Sequence, residues 1–458
     1  MTDRHINYES KHGTLKVPDY AKNPNAIMAN SVPKLRFYGL NTAIDHKSKT
    51  QLQGWKDVMA KMYTVYNASP LGRRKPLNPL EFPRLVKGMN TDHAEDQKKL
   101  VRLFASWKET CEYEVRGEEA LLSASIAELI PLLWVETERN IQAVGGLAAW
   151  NALSEDDQMI RKQEAYKRAC LHIGKELFEQ LTPNERRHAV LFIWGGCCMH
   201  KEMNTIKWGN LRFRIFWLTV GVAPMKLMNR DNAAAAALGG QAAADRAEEV
   251  SQAGGVKLTS LAGAVFAHKD KKKGQQDSLR YWIESCVGYM IRFPDTSNTR
   301  YQSHCEAAAE LLVRLHFYRD YLEVVRDLKE SGTWTNIEKN VYDGLHDIPT
   351  LTELAVLVLY SQAVSHPYMR LVRGSEAAST NLLDLGPVHE RVKNHCQAVI
   401  ANPNLLLAPD ATYTAGAMDG KTWERSDAFY AVKALSQSLP HLCGALVAFF
   451  EGALEGWE

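Results

Sequence analysis

Three things are scarce in this chain, and each scarcity excludes a class of protein. Apolar runs long enough to span a bilayer are missing, and the opening Met1-Thr-Asp-Arg-His-Ile-Asn7 has no signal-peptide pattern, so no membrane partner is expected. Cysteine is sparse: eight residues scattered over 458 make no disulfide framework, which fits a reduced intracellular compartment. An excess of one charge is the third absence. With a formal net charge of only +2, any grip on nucleic acid must rest on local patches. What is present, 45% apolar and 24% charged residues, is ordinary for a globular protein. Its length exceeds what one core supports, so two or three lobes are expected.

Two local basic patches exist. Arg73, Arg74 and Lys75 lie in a stretch bracketed by Pro and Gly, and Lys269, Lys271, Lys272 and Lys273 precede a helical pattern. Both are candidates for nucleic-acid contact, with a plain solvated surface as the alternative.

In chain order, residues 1–30 are polar with a strand at His5–Ser10, and Lys34–Leu40 alternates as a second strand. Thr50–Tyr66 carries Trp55, Val58, Met59, Met62 and Val65 at helical spacing. Ala68 to Pro76 reads as a loop, and Phe82–Met89 as a further strand. A helix then opens at Asn90–Lys99 and runs to about Glu114, with Thr91 or Asp92 as its N-cap and Glu95 in the capping-box position. Asp92 has a second reading. It is a carboxylate at the end of a strand, placed to bind a divalent cation.

The stretch Arg187–Asn204 organises the rest. Val190–Trp194 is a short apolar run rich in β-formers, Gly195-Gly196 supplies a sharp turn, and Cys197, Cys198 and His200 follow at once. Side chains on the turn after a buried strand are held rigidly, as at an α/β active-site edge. The alternative is that the cysteines are small core residues and His200 merely starts a helix. A cysteine nucleophile with His200 as base is disfavoured, because two or three residues on one turn rarely give that geometry. A zinc site would need a remote fourth ligand, Cys170, His304 or Cys305, that nothing singles out.

Glu118–Gln180 is helical, broken at Gly145-Gly146, with Ser154 capping a helix that ends near Glu179. A helix from Lys201 and an aromatic segment, Phe213–Val220, follow. The alanine-rich 231–245 is low-complexity and reads as a surface helix or a mobile excursion, with a linker as the fallback. Beyond it Ser278–Ile291, Ser303–Lys329, Thr352–His366, Pro387–Ile400 and Ser426–Leu454 carry apolar residues at three- and four-residue spacing, without a repeat.

Laid out this way, the chain resembles fungal transposase-like proteins with a ribonuclease H-like core, akin to the hAT and Kyakuja-Dileera-Zisupton groups. The resemblance covers nearly the whole length. It is carried by Thr91-Asp-His-Ala-Glu-Asp-Gln-Lys-Lys99, Gly195-Gly-Cys-Cys-Met-His-Lys-Glu-Met-Asn204 and Phe293-Pro-Asp-Thr-Ser-Asn-Thr-Arg-Tyr-Gln-Ser303, in that order. It implies a mainly α fold with a small α/β part: a ribonuclease H-like mixed sheet interrupted by helical insertions and followed by a large helical lobe. The segments are 1–117 and 186–228 for the core, 118–185 for a helical insertion, 229–277 for a low-complexity and basic excursion, and 278–458 for the lobe.

The resemblance further implies that Asp92 is a metal-binding catalytic acid, that Cys197 and His200 form a Cys-x-x-His motif, and that Thr299 and Arg300 belong to a Thr-Arg-aromatic-x-Ser element. Tyr301 stands where tryptophan is common. Such cores use two Mg2+ ions roughly 4 Å apart, held by several carboxylates, to drive phosphoryl transfer. The first acid would precede His5–Ser10 and the third would follow the helical lobe; Asp3, Asp45 and Glu458 are the conceivable substitutes. The expectation is an incomplete transposase-like protein, inactive in strand cleavage, that still binds DNA, self-associates or joins a related transposase, in the nucleus. The competing expectation is a helical interaction protein that binds neither DNA nor metal.

Overall fold

The computed structural model describes residues 7–15, 34–43, 45, 47–268, 274–296, 302–374 and 385–458. The chain is mainly helical and divides into two compact units, residues 1–197 and 198–458.

In the first unit, β1 (Asn7–Leu15) pairs antiparallel with β2 (Lys34–Ala43). Helix α1 spans Ser48–Ala68. The stretch read as a loop contains α2 (Pro70–Arg74), because the Ser69 hydroxyl accepts from the Gly72 N–H and Pro70 occupies the first helical turn. The strand expected at 82–89 is in fact α3 (Glu81–Leu85) followed by β3 (Gly88–Thr91). Lys108 explains the helical turn: its buried ammonium donates to the carbonyls of Pro83, Arg84 and Val86 at the helix end.

Helix α4 (Glu95–Ser123) is followed by α5 (Ile126–Ala143), α6 (Leu147–Asn151), α7 (Glu155–Glu179), α8 (Pro183–Ala189) and β4 (Ile193–Gly196). Ser154 caps α7 by accepting from the Asp157 N–H at 3.1 Å, and Thr182 with Glu185 forms a capping box on α8. The strand expected at 190–194 begins later, because the Val190 N–H still closes the last turn of α8 onto the Arg186 carbonyl. Helices α4 and α7 approach so closely that a Cβ on Gly117 would lie 1.9 Å from the Cys170 carbonyl oxygen, and one on Gly174 1.8 Å from that of Tyr113. Tyr38, Trp55, Phe82, Phe104, Trp107 and Phe192 form an aromatic cluster, with Phe104 stacked on Phe192 at 5.2 Å.

The second unit begins with one continuous helix, α9 (Cys198–Val220), which joins the segments read separately from Lys201 and Phe213. The alanine-rich stretch forms α10 (Arg230–Leu238) and α11 (Gln241–Val250), parted at Gly240, whose φ of 74° suits glycine. Next come α12 (Gly254–Phe266), α13 (Gln276–Val287), α14 (Ser303–Val313), α15 (Leu315–Asp327), α16 (Asn336–Gly344) and α17 (Ile348–Tyr360). The run expected as one helix over 303–329 is broken at Arg314. A π turn (Ser361–Ser365) links α17 to α18 (His366–Arg373). The unit closes with α19 (Leu385–Ala401), α20 (Asn404–Leu407), α21 (Tyr413–Gly416), α22 (Ser426–Leu435) and α23 (Leu442–Trp457). Pro440 parts the last two, where one helix was expected.

Every residue of α17 from Thr350 to Tyr360 is buried, so this helix is the hub of the second core rather than a surface helix. The stretch Ile348–Arg373 is long and apolar enough to cross a membrane, contrary to the sequence expectation, yet it lies almost wholly inside this core. Helix α23 packs along α9 through Phe213 and Phe449, whose rings are 5.0 Å apart.

Candidate functional site

The strands β3 and β4 pair in parallel, Gly88 with Ile193 through Thr91 with Gly196. Parallel pairing brings the carboxyl ends of both strands, Thr91 and Gly196, to one edge although they are remote in sequence. The register continues past the strands: the Cys197 N–H donates to the Thr91 carbonyl at 2.8 Å. Asp92 and Cys197 therefore stand on neighbouring strand ends.

Side chains stiffen this edge. The Trp194 indole N–H donates to the Thr91 hydroxyl at 2.9 Å, and that hydroxyl donates to the Asp92 carbonyl at 3.0 Å. The His93 ring meets Trp194 edge to face at 5.5 Å. It also covers Gly196, where a Cβ would sit 2.6 Å from the His93 Nε2. A larger residue there would have to push that ring aside.

Asp92 is half-buried, and its Oδ1 accepts from the Ala94 N–H at 2.9 Å. It does not cap α4 as expected: the N-cap position is Ala94, which has no side chain to serve it. Glu95 is likewise no capping-box partner but pairs with Lys98 at 2.8 Å. The start of α4 is instead tied to α1, where the Ser48 hydroxyl donates to the Asp96 carbonyl at 2.6 Å and Gln51 reaches the Asp96 carboxylate.

The other predicted residues fall elsewhere. Arg73, Arg74 and Lys75 are all exposed around the end of α2. His200 lies in the first turn of α9, which opens the second unit. Thr299, Arg300, Lys269, Lys271, Lys272 and Lys273 lie outside the described residues, as does Asp3. Asp45 accepts from the Lys47 N–H at 3.0 Å just ahead of α1, and Glu458 is an exposed residue after α23. Among the described residues, no group of three or more His, Cys, Asp or Glu side chains is placed to share a metal ion.

Sequence reasoning passed over a buried acid, Glu202, in the second unit. Its Oε1 accepts from the Ser365 hydroxyl at 2.5 Å, and Gln302 donates to the same hydroxyl at 2.8 Å. Its Oε2 is buried and accepts no hydrogen bond among the described residues. Burial pushes the Glu202 carboxyl up to about 7, with the Ser365 hydroxyl pulling the other way. Two irregularities frame it: Ser365 ends the π turn, and Gln302 has a φ of 59°, a left-handed value rare outside glycine. Compared with known proteins, the chain matches no family model, no curated protein and no solved structure.

Proposed function

We propose that this is a transposase-like DNA-binding protein with a ribonuclease H-like core, acting in the nucleus without cleaving DNA strands. The observation that carries the reading is the parallel β3–β4 pair, which sets Asp92 beside Cys197, the first residue of the Cys-x-x-His motif. Among the described residues β1–β2 and β3–β4 are two separate two-stranded sheets, and this reading takes them as remnants of the expected mixed sheet, joined through α1, α2 and α3. Exposed Arg73, Arg74 and Lys75 would meet the phosphate backbone, together with Lys269, Lys271, Lys272 and Lys273. Self-association or a related transposase would supply the protein partner.

Magnesium does not fit the donor set that supports this proposal. A two-ion site needs several carboxylates, and Asp92 brings one, with one oxygen already engaged by the Ala94 N–H.

The test is fluorescence anisotropy of a labelled duplex at two salt concentrations, with and without Mg2+. The wild type should bind more weakly as salt rises. Replacing Arg73, Arg74 and Lys75 by alanine should flatten the salt slope by about one for each phosphate these side chains neutralise. Asp92→Ala should leave affinity unchanged whether or not Mg2+ is present. No binding at low salt would overturn the proposal in favour of a helical interaction protein.

A further inference from the structure

Helix α5 has two apolar faces and turns only one inward, where Leu129 packs against the cluster of Leu121, Ala169 and Cys170. Its inward face carries Glu136 and Asn140, both buried, while Ile130, Trp134 and Val135 are 60%, 63% and 57% exposed. With exposed Pro131 these residues recur at three- and four-residue spacing, so they form one continuous apolar stripe on the outer face. The orientation is locked. Glu136 accepts from Arg168 at 2.9 Å and pairs with Arg139 at 2.6 Å, and the Asn140 amide accepts from Arg168 and donates to the Arg161 carbonyl, both at 2.7 Å. Rotating α5 to bury the stripe would strip these groups of their partners, so the stripe stays outside.

We infer that this stripe is a homodimer interface, in which α5 of one protomer packs antiparallel on α5 of a second copy across a twofold axis near Trp134. The flanking charges favour this occupant and this direction. Glu128 and Arg139 are both exposed and lie three helical turns apart, on nearly one line beside the stripe. Trp134 sits midway between them. In an antiparallel twofold pair the same flank of each helix meets its copy, so Glu128 of each protomer comes level with Arg139 of the other. A parallel pair offers no such match. One Glu128 oxygen is used within its own chain, accepting from the Ser125 N–H at 2.8 Å, which leaves the other for an arginine; Arg139 gives one N–H to Glu136 of its own chain and keeps further guanidinium donors for a second carboxylate.

Area is sufficient for a weak complex. The stripe offers on the order of 400 Å2 of apolar surface per copy, with Trp134 the largest share. Its polar rim raises the face to about 500 Å2, so a dimer buries ~1,000 Å2, the lower edge of specific interfaces. The dimer is therefore expected in the micromolar range. This inference is independent of DNA binding.

Sedimentation velocity of the full chain over roughly 1–100 µM tests it. The wild type should pass from monomer to dimer, and Trp134→Lys, at an exposed position, should raise the dissociation constant ~30-fold or more while keeping its far-UV circular dichroism. Glu128→Arg and Arg139→Glu should each weaken the dimer, and an equimolar mixture of the two should restore it, because every cross-pair is then attractive again. A wild type that stays monomeric at the highest concentration, a dimer indifferent to Trp134→Lys, or a mixture no tighter than either variant would overturn the inference. So would a monomeric wild type that cosediments with phosphatidylcholine vesicles through Trp134, which would assign the stripe to a lipid surface.

Discussion

Replacing Glu202 by glutamine should stabilise the protein above pH 7 and leave it almost unchanged near pH 4.5. The acid is fully buried, and only one of its oxygens accepts a hydrogen bond among the described residues. Burial therefore raises its carboxyl from an ordinary 4.5 to about 7 in the folded chain. Below pH 4.5 the folded and unfolded chains both hold the proton, and the group costs nothing. Between 4.5 and 7 the folded chain keeps a proton that the unfolded chain has released, so stability falls by about 1.4 kcal/mol per pH unit. Above about 7 both states are ionised, and a penalty of about 3 kcal/mol stands in full. Glutamine keeps the carbonyl that accepts from Ser365 and cannot ionise. The stability difference between Glu202→Gln and wild type should thus grow from near zero at pH 4.5 to about 3 kcal/mol at pH 8. Glu353, also buried and raised to about 7, titrates alike in both proteins and cancels in the difference. Urea unfolding of both proteins across this range measures it. A difference independent of pH would show that Glu202 is ionised throughout, and the reasoning from burial would fail.

Two further substitutions probe the first unit. Gly174→Ala should destabilise it by roughly 1–3 kcal/mol or more, because the new Cβ meets the backbone oxygen of Tyr113 and α4 must move from α7; a thermal melt unchanged from wild type would refute so close a crossing. Lys108→Met keeps the packing but removes the donor shared by three carbonyls, and should cost on the order of 1–3 kcal/mol. Faster amide exchange over 83–91 than in wild type is the expected local sign, and unchanged exchange there would show that the lysine does not hold the segment leading into β3.

Features written locally were legible in the sequence. Ser154 ahead of three acids caps α7 as read, because a cap is settled within one turn. The strand before Cys197 was legible in kind but placed three residues early, since its apolar residues also suit the end of a helix. Phe82–Met89 misled for a different reason. The donor that makes 81–85 a helical turn is Lys108, more than twenty residues away, and no local pattern reveals it. The same holds for α5. Apolar residues at 129 and 133 and at 130 and 134 mark two candidate faces, and Arg168 on α7 decides between them by capturing Glu136. Glu202 was invisible because its neighbours, Gln302 and Ser365, are brought to it by tertiary folding alone.

Capping and ligand binding were set against each other for Asp92, and the turn after β3 removes the opposition. The Oδ1 contact to the Ala94 N–H is made two residues along, within the turn rather than in the helix, so it fixes the carboxylate without drawing it onto α4. Thr91, tied to Trp194 on the neighbouring strand, holds the Asp92 backbone from the other side. A carboxylate held this way keeps one direction relative to the sheet edge and to Cys197. That rigidity is supplied by residues on two strands remote in sequence, and an acid that only began a helix would need none of it. The edge is built for direction even where its donor count is too small for two metal ions.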